Sequence, residues 1–151
     1  MQIRILSQII LIVILSVISA VIFNAISAHG ISLIYNPPFL SDSHSLSVEE
    51  VYSLYVEGRT LFIDSRYPEE FSQSHIRTAI NIPVSWPIEK IDKTMHQYDK
   101  KRMIIVYCSS SQCNSSYRLA GILQYIKFEN VYIFSGGLEE WQLKDYPQKN
   151  E

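Results

Sequence analysis

Short apolar runs alternate with helical patterns along most of this chain, and that alternation is the strongest constraint on its fold. Four runs have the length and β-branched content of buried strands: residues 60–64, 79–83, 103–108 and 131–134. Strands that are separated by helices usually pair in parallel, with helices on both faces of the sheet. The sequence therefore predicts an α/β domain with a parallel sheet flanked by helices.

Helix start and stop signals support this pattern. Ser47 and Glu50 form a capping-box pair, and Gly58 is placed to end the helix that follows. Further helical patterns begin at Pro68, Pro87 and Asn114, and after the Gly136-Gly137 pair. The run 103–108 is the most apolar and is the best candidate for the central strand.

The N-terminus has a different character from the rest of the chain. No charged residue occurs from Ile5 to Ile26, a segment that would be about 33 Å long as a helix, against a hydrocarbon core of about 30 Å. We expect residues 1–28 to form a transmembrane signal anchor, although a cleaved signal peptide is the alternative. A linker over 29–45, a domain over 46–147 and a tail over 148–151 complete the predicted organisation.

Charge distribution predicts where the domain lies. Arg4 precedes the apolar segment, and the next Lys or Arg is Arg59, so the positive-inside rule places the domain outside the cytoplasm. The expected localisation is thus a single-pass membrane protein, held by residues 5–26, with its two cysteines in an oxidising compartment. The formal net charge of −2 offers no basic field for nucleic acid.

The segment VYCSSSQCNSS, residues 106–116, contains the most reactive groups of the chain. Cys108 ends the expected central strand, and a helical pattern begins a few residues later. A helix N-terminus and loop amides stabilise a thiolate, so Cys108 is a candidate nucleophile, although a free cysteine can also be a small core residue. Cys113 is close enough in sequence to form a disulfide with it, or it packs under the loop.

Three motifs in order resemble the rhodanese-like domain family over residues 46–147. They are LFIDSRYPEEFSQSHIRTAINIP (61–83), the loop after IIVYC, and FSGGLEEWQLKDYP (134–147). The resemblance implies that Cys108 is the catalytic cysteine, which carries a persulfide during sulfur transfer. It also implies a cradle for the bound sulfur, formed by Ser109, Ser110, Ser111, Gln112 and Asn114, with Arg66 as a further substrate-binding candidate.

The loop departs from the family pattern in its charge. The usual cradle has an arginine five residues after the cysteine, where this chain has Cys113. We therefore expect poor use of thiosulfate, a dianion that binds through such a cation. Related phosphatases have a longer loop with a closing arginine, where this chain has Asn114, so phosphatase activity is not expected.

Three residues of the first motif have two interpretations each. Asp64 could orient loop amides or hydrogen-bond its own turn. Arg66 could face the sulfur site or form an ion pair with Glu69 or Glu70. His75 is expected to be a structural hydrogen-bonding residue rather than a base. Two cysteines without a nearby histidine do not make a zinc site, and we predict neither a metal nor a cofactor.

Three functions remain open from the sequence. The leading hypothesis is a membrane-anchored sulfurtransferase that takes sulfane sulfur onto Cys108 from a small donor and gives it to a thiol acceptor. The second is a dithiol–disulfide redox protein that uses Cys108 and Cys113. The third is a binding module of the same fold that has lost the chemistry.

Overall fold

The computed structural model describes residues 2–26 and 44–149 of the chain. The chain divides into two compact units, Met1–Asn36 and Pro37–Glu151. The predicted linker 29–45 lies outside the described residues, except for its last two positions.

The described residues of the first unit form the helix α1, which spans Gln2–Ile26. Within it, the hydroxyl of Ser7 donates to the carbonyl of Arg4 at 2.9 Å, and that of Ser16 donates to the carbonyl of Val13 at 2.8 Å. These two serines are polar residues within an otherwise largely apolar sequence. Among residues 2–26 and 44–149, no helix is long and apolar enough to cross a membrane, so the predicted transmembrane segment is not confirmed.

The second unit is built on a five-stranded parallel sheet. Its strands are β1 (Ser45–Leu46), β2 (Leu61–Asp64), β4 (Ile80–Asn81), β5 (Ile104–Tyr107) and β6 (Val131–Phe134). Across the sheet their order is β1-β6-β5-β2-β4. The parallel α/β architecture is confirmed, and β5 occupies the centre, as its apolar sequence predicts. The carboxyl ends of the strands therefore meet at one edge, where such folds bind their ligands.

Helices cover both faces of this sheet. They are α2 (Val48–Glu57), α3 (Pro68–Gln73), α4 (Ile88–Met95), α5 (Ser115–Tyr125) and α6 (Gly137–Leu143). The predicted capping box at the start of α2 is present, because Ser47 accepts from the amide of Glu50 and the Glu50 carboxylate accepts from that of Ser47. Gly58 ends α2 with a φ of 73°, a conformation that suits glycine.

Two hydrophobic clusters form the core, one on each face of the sheet. Alternate residues of β5 enter different clusters: Val106 packs with Met95 and Leu119 from α4 and α5, whereas Tyr107 packs with Trp141 from α6. This division follows from the two-residue period of a strand. Because β5 is packed on both sides, the residue that follows it is held on a rigid element.

A small antiparallel sheet was not predicted. It pairs β3 (His75–Ile76) with β7 (Gln148–Lys149). Gln148 and Lys149 belong to the segment that the sequence assigned to a tail. A strand of two residues is too short to show a hydrophobic periodicity in the sequence, so it can be recognised only from the strand with which it pairs.

Candidate functional site

Cys108 follows β5 directly, at the carboxyl edge of the sheet, and its side chain is 3% exposed. It forms a disulfide with the half-buried Cys113, across a Cα–Cα distance of 6.2 Å. That distance lies in the ordinary range for disulfides. The structure therefore brings together the two residues that the sequence singled out as a possible redox pair.

A single hydroxyl contacts both sulfur atoms. Ser115 Oγ lies 2.9 Å from Cys108 Sγ, to which it donates, and 3.1 Å from Cys113 Sγ. It also lies 3.0 Å from Ser65 Oγ, and Ser65 in turn donates to the carbonyl oxygen of Tyr107 at 2.8 Å. Ser65 and Ser115 carry no signal in the sequence that identifies them as site residues. They are 50 positions apart and only the parallel pairing of β2 and β5 makes them neighbours.

Helix α6 supports the first residues of the loop from the other side. The amides of Leu138 and Glu139 donate to the carbonyls of Cys108 and Ser109, both at 2.9 Å. Gly137 permits this approach: a Cβ at that position would lie 2.6 Å from the Cys108 carbonyl oxygen, and its φ is 64°. The Gly-Gly motif thus holds the backbone beneath the sulfur.

A cavity of about 270 Å³ opens over the disulfide. Its lining includes both cysteines and Ser109, Ser115 and Arg118. The remaining lining residues come from the ends of the neighbouring strands and the segments after them: Ser65, Arg66, Tyr67, Glu70, Pro83, Val84 and Ser85. A ligand of modest size can therefore reach the sulfur atoms from this side.

The predicted cradle is only partly assembled around the sulfur. Ser109 Oγ lies 3.6 Å from Cys108 Sγ, and the Ser110 carbonyl accepts from the amide of Cys113 at 3.1 Å. Ser111, Gln112 and Asn114 are exposed and do not line the cavity. Their predicted role in substrate binding stays a prediction.

Arg66 is a buried cation whose partner differs from the predicted one. Its Nη2 donates to Asp64 Oδ2 at 2.6 Å and to the carbonyl of Ser74 at 2.7 Å, so the predicted ion pair with Glu69 or Glu70 is wrong. Burial alone would lower the pKa of Arg66, but the hydrogen bond and charge of Asp64 outweigh it and the pKa is raised. Asp64 Oδ1 also accepts from the backbone amide of Arg66 at 2.9 Å. This contact agrees with the prediction that Asp64 hydrogen-bonds its own turn.

His75 lies away from the sulfur atoms, against α3. Its Nδ1 donates to the carbonyl of Phe71 at 2.8 Å, and the two rings stack with centroids 3.8 Å apart. His75 is also 3% exposed. These contacts agree with the structural role that the sequence indicated.

Tyr107 is a buried phenol beneath the site, and its hydroxyl accepts from the amide of Ile76 at 3.1 Å. Burial raises the pKa of Tyr107 well above its usual value of about 10, and the nearby charge of Asp64 raises it further. The folded state therefore keeps a proton that the unfolded state releases above about pH 10. Stability should fall as the pH rises through that region.

Replacing Tyr107 by phenylalanine is expected to have two effects. At neutral pH the Ile76 amide loses its acceptor, which should cost about 1–3 kcal/mol of unfolding free energy. Near pH 11 the variant should lose less stability than the wild type does, because the group responsible is gone. Denaturant unfolding at both pH values measures this, with Tyr125→Phe at a tyrosine 66% exposed as the control. Equal alkaline losses in all three proteins would contradict the assignment.

The fold and the loop define a class: parallel α/β domains that present a cysteine at the end of the central strand, followed by a helix. The family model of the rhodanese-like domain matches residues 47–144 of this chain. The protein therefore belongs to the rhodanese-like domain family.

Solved structures agree with the assignment. A crystal structure of a Bacillus halodurans protein is 26% identical, with a TM-score of 0.64, and the match covers 72% of this chain and 77% of that one. The solution structure of a rhodanese-like domain from Anabaena is 22% identical, with a TM-score of 0.61 over 72% of this chain and 80% of that one. The latter likeness shows the fold.

Two curated relatives carry a specific name. The tRNA uridine(34) hydroxylase of Sodalis glossinidius is 32% identical over 101 residues, which is 65% of this chain and 28% of that protein. The enzyme of the same name from Yersinia pestis is 29% identical over 104 residues, 67% of this chain and 28% of that protein. The chain thus spans little more than a quarter of the length of these relatives.

Proposed function

We propose that this protein is a sulfurtransferase in which Cys108 carries sulfane sulfur as a persulfide. The observation that carries the proposal is the setting of Cys108, a sulfur at the end of the central strand that lines an open cavity and accepts a hydrogen bond from Ser115 at 2.9 Å. A hydroxyl donor stabilises a thiolate, which is the nucleophilic form of cysteine.

The transfer begins from the reduced protein. The Cys108 thiolate attacks the outer sulfur of a donor R–S–SH, the S–S bond of the donor breaks, and R–S⁻ leaves as the reduced thiol. Cys108 then carries –S–SH, and a thiol acceptor takes the outer sulfur in a second exchange of the same kind. Ser109 and Ser115, the hydroxyls nearest to Cys108 Sγ, face the group that forms.

Cys113 provides a second fate for the persulfide. Its thiolate can attack Cys108 Sγ and expel the outer sulfur as HS⁻, which leaves the Cys108–Cys113 disulfide. The donor is then reduced by two electrons, because one R–S–SH and two thiols give one R–SH, one H₂S and one disulfide. The disulfide that this reaction would leave joins the same two cysteines as the one in the structure, which supports the proposal.

The charges that line the cavity restrict the kind of sulfur donor, and the net charge of the chain restricts the kind of partner. Two arginines line the cavity, and Arg66 is already paired with Asp64. The other, the exposed Arg118, forms no ion pair with a carboxylate among the described residues. Monoanionic persulfides suit this site better than thiosulfate does. The net charge of −2 favours a small molecule or a protein thiol over tRNA as the partner.

Intact mass spectrometry of the reduced protein tests the proposal. After incubation with polysulfide we expect a gain of one sulfur atom, followed by a loss of two hydrogens relative to the reduced protein as Cys113 closes the disulfide. Thiosulfate should give a much smaller yield at the same concentration. A reduced protein whose mass does not change with any sulfane donor would refute sulfur transfer.

A dithiol–disulfide redox role is the second candidate. The specific observation in its favour is the disulfide itself, with both sulfur atoms in contact with one hydroxyl. Disulfides persist in oxidising compartments, so this role and the predicted placement outside the cytoplasm support each other. Disulfide formation with mild oxidants, without any uptake of sulfur from polysulfide, would identify this function instead.

A further inference from the structure

The two sulfur atoms of the disulfide differ in their access to solvent. Cys108 is 3% exposed and is held from below by the end of β5 and by α6, whereas Cys113 is half-buried at the outer end of the loop. Thiol–disulfide exchange needs the incoming sulfur to approach the attacked sulfur along the S–S bond, so access decides which cysteine is attacked. The geometry favours attack on Cys113.

The two sulfur atoms also differ in what stabilises them after the bond breaks. Ser65 donates its only hydroxyl proton to the Tyr107 carbonyl at 2.8 Å, so in its 3.0 Å contact with Ser115 it can only accept. The single proton of Ser115 can therefore go to Ser65, Cys108 or Cys113. A thiolate is the strongest of these acceptors, because hydrogen bonds to charged groups are stronger than those to neutral ones.

The position of Ser115 favours Cys108 as the thiolate. Ser115 Oγ is closer to Cys108 Sγ, at 2.9 Å, than to Cys113 Sγ, at 3.1 Å. Ser109 Oγ supplies a second hydroxyl, 3.6 Å from Cys108 Sγ. The leaving sulfur is thus the buried one with two hydroxyls beside it.

We propose that an external thiol reduces the protein by attacking Cys113, and that Ser115 stabilises Cys108 as the departing thiolate. The inference rests on the proposed function, because it describes how the disulfide that sulfide release leaves is reopened. It assigns to Cys113 the exchange with the reductant and to Cys108 the exchange with the sulfur donor.

The reduction takes place in two exchanges. The thiolate R–S⁻ attacks Cys113 Sγ, the Cys108–Cys113 bond breaks, and its electron pair leaves on Cys108 Sγ, which gives the mixed disulfide R–S–S–Cys113. A second R–S⁻ attacks the R sulfur of that mixed disulfide, R–S–S–R forms, and Cys113 leaves as a thiolate. The two protons of the thiols pass to the two cysteines, so that two R–SH and one disulfide give one R–S–S–R and two cysteine thiols.

The first test locates the mixed disulfide. The oxidised protein is mixed with glutathione, as a probe thiol, without any sulfur donor. The reaction is quenched with acid at short times, and the adduct is located by peptide mapping. We expect glutathione on Cys113. Glutathione on Cys108, or no reaction over hours, would overturn the proposal.

The second test concerns the hydroxyl of Ser115. Ser115→Ala should slow reduction by glutathione about tenfold, since the leaving thiolate loses a charge-assisted hydrogen bond, and Ser115→Thr should restore much of the rate. Ser53→Ala, at an exposed serine on α2, is the matched control and should reduce at the wild-type rate. Equal rates in the alanine variant and the wild type would overturn the role of Ser115.

A pH profile separates stabilisation of the thiolate from a purely structural effect. In the reduced protein, the midpoint pH for alkylation of Cys108 should rise by about one unit in Ser115→Ala and return toward that of the wild type in Ser115→Thr. An unchanged midpoint would refute the donor role, even if reduction slowed. Because no sulfur donor is present, a protein that passes these tests but takes up no sulfane sulfur would refute the proposed function and leave this inference standing.

Discussion

Cys108→Ser is expected to abolish persulfide formation, with a loss of about a thousandfold or more in the rate of sulfur uptake. Cys108 is the sulfur proposed to attack the donor, and loss of an enzyme nucleophile typically has effects of this size or larger. A serine hydroxyl cannot take its place, because it is not ionised at neutral pH and does not form a persulfide. Intact mass spectrometry after polysulfide treatment measures the uptake directly.

Cys113→Ser is the matched control for this variant. Both variants lose the disulfide, so any cost to stability from the missing cross-link is shared between them. Cys113→Ser should keep persulfide formation and accumulate the persulfide, because no second thiol expels sulfide from it. If Cys108→Ser took up sulfur on Cys113 at the wild-type rate, the assignment of the nucleophile would be wrong.

Arg66→Met is expected to destabilise the domain by about 3–5 kcal/mol, because it leaves the carboxylate of Asp64 buried without its cation. Asp64 is 0% exposed and Arg66 is 8% exposed, and their contact is bidentate, with Nε donating to Oδ1 and Nη2 donating to Oδ2. The Ser74 carbonyl also loses the donor that Arg66 supplies at 2.7 Å. Denaturant unfolding of the reduced protein measures the change.

The chain provides a surface ion pair for comparison. Arg59 and Glu57 lie 3.5 Å apart with side chains 86% and 49% exposed, so Arg59→Ala should cost at most about 1 kcal/mol. The double variant Asp64→Leu, Arg66→Met should recover part of the loss, because no unpaired charge remains buried. A cost for Arg66→Met no larger than that of Arg59→Ala would show that the buried pair contributes little.

The sheet could be predicted from the sequence because its strands are apolar in character. All four residues of β5 are buried, and its sequence contains two isoleucines and a valine, which is what a central parallel strand requires. The helix caps at Ser47 and Gly58 were equally clear, because each is set by local hydrogen bonding or by local dihedral angles. Such signals involve residues that are close in sequence.

The contacts of the site could be predicted only in part. The sequence identifies Cys108 from its place at the end of the central strand and Cys113 from its closeness to Cys108. The hydroxyl that contacts both sulfur atoms belongs to Ser115, which also contacts Ser65, and neither serine has a sequence signal of its own. The partner of Arg66 was also missed. Carboxylates at positions 64, 69 and 70 are all near it in sequence, and only the turn after β2 determines which one it meets.

The backbone contacts that position Cys108 come from β5 and α6 and do not involve position 113, and that separation has an evolutionary consequence. The backbone of Cys113 bonds to the Ser110 carbonyl, while its side chain lines the cavity. One side chain there decides whether the cavity contains a second thiol or, as in the usual loop of the family, an arginine. Cysteine and arginine codons can differ by a single base. A lineage can therefore exchange dithiol chemistry for a cation that binds dianions in one mutational step, without rebuilding the strand, the glycine contact or the helix.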